Sequence, residues 1–183
     1  MPKEQFLTVR INDKCKPIDR GDIYEDPLDE ALQRESLGEV TGGGSQLNEN
    51  YNIEYCELEV TIKGDLEKAK QFIINELNQI GIPKGSKLIH DNVETEFGNK
   101  EVMAVCFSNI LADEVYEKND INDVLEEFDD LLGEDGEMAS HTEIDDETIV
   151  YFKGTSFTKM QKAITEYFSS NELCTDGRIL QET

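Results

Sequence analysis

Three groups of residues in this 183-residue chain have the types and spacing to do chemistry. Arg20 stands in the segment 17–27 as a lone guanidinium amid Asp19, Asp22, Glu25 and Asp26. Its planar fork either pins the segment through ion pairs or holds a carboxylate or phosphate ligand. Thr41-Gly42-Gly43-Gly44-Ser45 exposes backbone N–H groups that could cradle an anion. No Lys-Ser/Thr follows, so it is not a P-loop, and a glycine triplet in a strand otherwise marks a bulge or a tightly packed edge. The third group is a tract from Asp120 to Glu147 with thirteen carboxylates and no Lys or Arg. Asp123, Glu126, Glu127, Asp129, Asp130, Glu134 and Asp135 form its densest part. Like charges at i,i+3 and i,i+4 weaken a helix, so the tract is either a solvated face or a docking surface for a cationic partner. Its spacing does not match a calcium-binding loop.

The remaining reactive residues build no centre. His90 and His141 are far apart in the chain, and neither lies beside a nucleophile in a recognisable motif. Cys15, Cys56, Cys106 and Cys174 form no C-x-x-C pair and have no histidine at zinc spacing. Nucleophile elbows, metalloprotease helices and dinucleotide fingerprints do not occur. The residues therefore predict a binding protein ahead of an enzyme, with no cofactor and no metal.

Composition narrows the partner. The chain carries 41 Asp and Glu against 17 Lys and Arg, a formal charge of −24. Such a surface repels phosphate backbones and anionic lipid and attracts basic partners, which excludes nucleic acid and membrane surfaces. No run of 18 apolar residues occurs and the N-terminus has no secretory pattern. With four dispersed cysteines, this predicts a cytoplasmic protein, monomeric or homodimeric. At 37% hydrophobic residues, a packed core is within reach.

The elements that must position these groups come in two copies. KEQFLTVRI at 3–11 and KEVMAVCF at 100–107 read as strands, both opening Lys-Glu. Amphipathic segments follow, with Leu28, Leu32 and Leu37 in one and Val124, Phe128 and Leu132 in the other. Each ends in Leu-Gly-Glu, where the glycine (Gly38, Gly133) is the expected left-handed helix stop. Asp26-Pro27 reads as the start of the first of these helices. IEYCELEVTIKG at 53–64 and TIVYFKG at 148–154 are strands ending Lys-Gly. Leu66, Ala69, Ile73 and Leu77 then match Phe157, Met160, Ile164 and Phe168 at a constant offset of 91, a core-facing helical stripe in both copies. Ser86–Ile89 and Gly177–Leu180 close each copy with a short strand, and the Gly-rich and 136–144 segments pair as hairpins with the strands after them.

Each copy reads β-α-β-β-α-β, which resembles the ferredoxin-like split βαβ arrangement: α+β, an antiparallel sheet with helices on one face. The predicted repeats span 1–91 and 99–183, with the polar stretch around 90–100 as connector. A Tyr-Glu pair recurs (Tyr24-Glu25, Tyr116-Glu117) and reads as structural because both copies keep it. Arg20, the glycine triplet and the acidic tract each occur in one copy only. The leading expectation is an acidic protein-binding module, an inhibitor or immunity-type protein neutralising a basic partner such as a bacterial nuclease toxin. The alternative is a small-ligand sensor binding an anionic metabolite near Arg20 and Gly42, Gly43 and Gly44.

Overall fold

The computed structural model describes residues 4–183, so Lys3, the first residue of the Lys-Glu match, lies outside the described part. The chain divides into two compact units between Asn99 and Lys100.

The first unit runs β1 (Gln5–Ile11), α1 (Pro17–Arg20), a π turn (Gly21–Glu25), α2 (Asp26–Arg34), β2 (Gly38–Leu47), β3 (Ile53–Ile62), α3 (Leu66–Ile80), β4 (Ser86–His90) and β5 (Val93–Phe97). The second runs β6 (Glu101–Ser108), α4 (Asp113–Lys118), α5 (Ile121–Leu132), β7 (Gly136–Ile144), β8 (Glu147–Gly154), α6 (Phe157–Ser170) and β9 (Arg178–Glu182). The sheet orders are β2-β3-β1-β4-β5 and β7-β8-β6-β9, with every strand pair among the described residues antiparallel. Taken as second, third, first and fourth strand of each unit, these are the same order, the ferredoxin-like one. The α+β tandem βαββαβ fold read from the residues is the fold of the chain.

Core formation follows the helical stripe. Ala69, Ile73 and Leu77 of α3 are buried against Leu7, Val9 and Ile11 of β1 and Leu58, Val60 and Ile62 of β3. Met160 and Ile164 of α6 are buried in the second core with Met103, Val105 and Phe107 of β6. Apart from Ala69, each such side chain contributes about 1.5–3 kcal/mol by leaving water. Asp65 caps α3 by accepting from the Lys68 amide at 2.8 Å, and Gly81 stops it at φ 97°. Ser156 does the same for α6 at its start.

Four local expectations change. Residues 93–97, predicted as connector, form strand β5, pairing along β4 from Ser86↔Phe97 to His90↔Val93. Polarity hid it because β5 is an edge strand whose side chains are largely exposed. Gly38 is no helix stop: α2 turns off at Ser36 (φ 56°), and Gly38 begins β2 because a Cβ there would lie 2.3 Å from the Thr61 carbonyl oxygen. Gly133, by contrast, closes α5 at φ 50°. The Lys-Glu match is off by one residue. The buried series Leu7, Val9, Ile11 corresponds to Met103, Val105, Phe107, and a one-residue slip would turn each series outward. Finally, Asp26 has helical torsions (φ −63°, ψ −47°) and caps nothing; the helical run starts at Pro17. Pro27 supplies no amide to such a run, and the π turn just ahead of it, closed by the Asp26 amide on the Gly21 carbonyl, absorbs the irregularity.

Candidate functional site

The two units share a β-bulge, and it aligns them residue by residue. In β2 the register shifts between Val40 and Gly42, and in β7 between Met138 and Ser140. Counting from the bulge, Ser45 corresponds to Glu143. In the first unit Ile11, Cys56 and Ser45 lie in one cross-strand row, and in the second the row is Phe107, Thr148 and Glu143. Ile11 and Phe107 both belong to the cores under the helices, so both rows lie on the helix-bearing face of their sheet.

What sits over that row differs. In the first unit the β1–α2 connection fills it. Tyr24 is fully buried, and its hydroxyl donates to Asp13 Oδ2 at 2.5 Å. Burial, reinforced by the Asp13 carboxylate, holds the Tyr24 phenol far above its ordinary pKa, so it stays a donor. Cys15 lies against Cys56 with the sulfurs 3.6 Å apart. Arg20 Nε donates to Glu25 Oε1 at 2.5 Å, and its Nη1 donates to Ser45 Oγ at 3.1 Å. Arg20 and Gly43 meet here: a Cβ on Gly43 would stand 2.5 Å from Glu25 Oε1 and 3.2 Å from Arg20 Nε. Gly43 thus makes room for the ion pair, whereas Gly44 has nothing within 4 Å and Gly42 faces the Glu59 carboxylate.

In the second unit the same connection is broken open. Asn119 and Asp120 are extended (φ −130° and −109°) and separate α4 from α5. The break is held by its own side chains. Asn119 Nδ2 donates to the Val115 carbonyl at 2.8 Å, and Asp120 Oδ1 accepts from the Asn122 amide at 2.8 Å. The recurring Tyr-Glu pair therefore has two different roles. Tyr116 is 40% exposed, where Tyr24 is buried; its hydroxyl donates to the Ser108 carbonyl at 3.0 Å and accepts from the Leu111 amide. Glu25 pairs with Arg20, while Glu117 is exposed.

The result is an open cleft of about 740 Å³ in the second unit, within the size range of small-molecule sites. Its apolar part comes from Phe107, Tyr116, Ile121 and Leu173. Four carboxylates, Glu117, Asp120, Asp123 and Glu143, also line it, against one cation, Lys118. Thr148 Oγ1 donates to Asn109 Oδ1 at 3.0 Å and joins the β6 end to the β8 start beneath it. The arrangement can hold a positively charged group on the rim with an apolar group below; it presents no nucleophile–base pair.

Of the seven carboxylates in the densest part of the acidic tract, Asp123 alone lines this cleft, joined by Asp120 and Glu143 from the rest of the tract. Glu126, Glu127, Asp129 and Asp130 are exposed along α5, whose Val124, Phe128 and Leu132 face the core. Glu134 and Asp135 lie in the turn after α5, and Asp135 stands 3.7 Å from Lys159 Nζ. Among the described residues no group of three or more His, Cys, Asp or Glu side chains is arranged to hold a metal ion. No helix among the described residues is long and apolar enough to cross a membrane. Glu117, Asp120 and Glu143 were missed as site residues because Glu143 is brought to the other two only by the register of β7 on β8. The Asn119-Asp120 pair, two capping residues in succession, was the available signal of a break.

No protein-family model matches the chain, and no curated protein matches it. Solved structures similar to it include an unknown protein from Galdieria sulphuraria, 10% identical with a TM-score of 0.29, covering 98% of each chain. Another is described as a glycine cleavage system transcriptional repressor, 8% identical, TM-score 0.29, covering 98% of this chain and 96% of that one. A third is the regulatory subunit of aspartate kinase from Thermus flavus, 10% identical, TM-score 0.28, covering 91% and 94%. At these identities and TM-scores the likenesses carry no functional argument, and the fold rests on the strand orders and registers above.

Proposed function

We propose that the second unit is a small-molecule sensor whose cleft takes an amine-bearing ligand with an apolar body. The supporting observation is the internal contrast: a place that the first unit fills with Cys15, Tyr24 and Arg20 is open in the second. The sensor class is the alternative read from the sequence, but the site and the ligand charge differ. Arg20 and Gly43 are engaged with Glu25, and the open cleft has four carboxylates to one lysine, so a cation fits it better than an anion. An apolar floor adds affinity that a surface ion pair alone does not provide.

The test is thermal denaturation with hexylamine and, in parallel, hexanoate. At about 100 times its dissociation constant the amine is expected to raise the Tm of the second unit by on the order of 10 °C. Hexanoate should raise it far less. Replacing Asp123 by Asn together with Glu143 by Gln should weaken the amine by about tenfold. Equal shifts from both compounds, or an unchanged response in the double variant, would contradict the proposal.

One observation favours a second reading, the docking of a basic protein on α5. Asp123, Glu126, Glu127, Asp129 and Asp130 have no ion-pair or side-chain hydrogen-bond partner among the described residues. Association with such a partner should slow steeply between low and high salt, and Asp129→Lys with Asp130→Lys should slow it further at low salt. A salt-independent rate contradicts this reading.

A further inference from the structure

Cys15 and Cys56 bring two thiols together in the first unit. Their sulfurs are 3.6 Å apart, in van der Waals contact, and both residues are buried. Cys56 sits on β3 opposite Ile11 of β1, and Cys15 lies four residues beyond Ile11 in the connection that covers the row. Closing the remaining gap asks for side-chain rotation at one strand residue and one connection residue. We infer that these two thiols are a redox-sensitive clasp, which a small-molecule disulfide oxidises to an intramolecular bond that locks the connection onto β3.

The chemistry balances with a low-molecular-weight disulfide as oxidant. The Cys15 thiol loses its proton and attacks one sulfur of the oxidant, forming a mixed disulfide and expelling one thiolate. The Cys56 thiolate then attacks the Cys15 sulfur, forming the protein disulfide and expelling the second thiolate. The two cysteine protons end on the two released thiols. One oxidant disulfide is reduced and one protein disulfide is formed.

The closed pair is slow to start this. The hydrogen bond with Cys15 and then burial hold the Cys56 thiol far above the ordinary range. Cys15 is the residue that gains access, because it lies on the connection rather than in the sheet. Oxidation is therefore gated by local opening of residues 12–25. Once formed, the bond closes a loop of about 40 residues, a length at which a cross-link restricts the unfolded chain substantially. The other two cysteines are poor competitors: among the described residues neither Cys106 nor Cys174 has another sulfur within hydrogen-bonding reach, and burial raises both thiols as well.

The test uses the full chain, incubated with oxidised glutathione under native conditions and then unfolded with a thiol-alkylating reagent present. Two of the four cysteines should escape alkylation, and peptide mapping should join the Cys15 and Cys56 peptides. The Tm should rise by about 5–10 °C and return on reduction. A chain with Cys106→Ser and Cys174→Ser should behave alike, and one with Cys15→Ser should show neither the joined peptides nor the shift. A stable glutathione adduct without joined peptides, four alkylated cysteines after prolonged incubation, or a bond to Cys106 or Cys174 would overturn the inference.

Discussion

Replacing Phe128 by Ala should destabilise the second unit by about 3–5 kcal/mol, a large fraction of the stability of a domain of its size. Phe128 is the hub of that core. Its ring stacks near Phe107 at 6.3 Å between centroids and meets Phe152 and Tyr167 edge-on at 6.1 and 5.9 Å. It is fully buried, and the ring sits between helix α5 and the sheet, so truncation leaves a void that rigid strands cannot fill. Phe107 also floors the cleft, so ligand response should disappear with the fold. Amide exchange resolved by segment is the measurement: residues 101–108 and 147–154 should lose protection in the variant. Retained protection there would mean that Phe128 does not organise the core.

A second large effect is expected from Gly38→Ala, about 2–3 kcal/mol in the first unit. The added carbon would stand 2.3 Å from the Thr61 carbonyl oxygen and 3.3 Å from the Ile62 Cα, so the β2–β3 ladder itself must move. Ser36→Gly should do the opposite, because Ser36 holds φ 56° with a side chain that disfavours it. Denaturant midpoints of the two variants check both signs. A cost of less than 1 kcal/mol for Gly38→Ala would instead fit a flexible helix terminus.

These two glycine and serine positions show what was legible in the residues and what was not. The constant offset between α3 and α6 was visible because a helical stripe repeats over about three turns and tolerates small errors. Strand patterns carry a period of two, so the Lys-Glu match at the start of β1 and β6 could slip by one residue without notice. The helix stop at Gly133 was readable from local chemistry, yet the same Leu-Gly-Glu triplet at Gly38 does another job, decided by the Thr61 carbonyl that packs against it. The shared bulge after Val40 and Met138 depends on pairing across strands, and so does the row Phe107, Thr148, Glu143. Arg20 and Gly43 were singled out separately as unusual; their meeting through Glu25 became apparent only in three dimensions. The recurring Tyr-Glu pair misled for the same reason, since identical residues end in a buried hydrogen bond in one unit and on a cleft wall in the other.

The binding proposal rests on one structural contrast, a connection closed in the first unit and open in the second. Hydrogen exchange of the native chain with and without hexylamine tests it most directly. Within residues 17–25 the amides from Arg20 onward should be protected in both conditions, held by bonds of the helical run such as that from Arg20 to the Lys16 carbonyl. Amides in 109–120 should exchange faster without the amine and slow when it is present, with Asn109 and Asn119 among those affected. Equal protection of the two connections, or slowing confined to residues 17–25, would contradict the account.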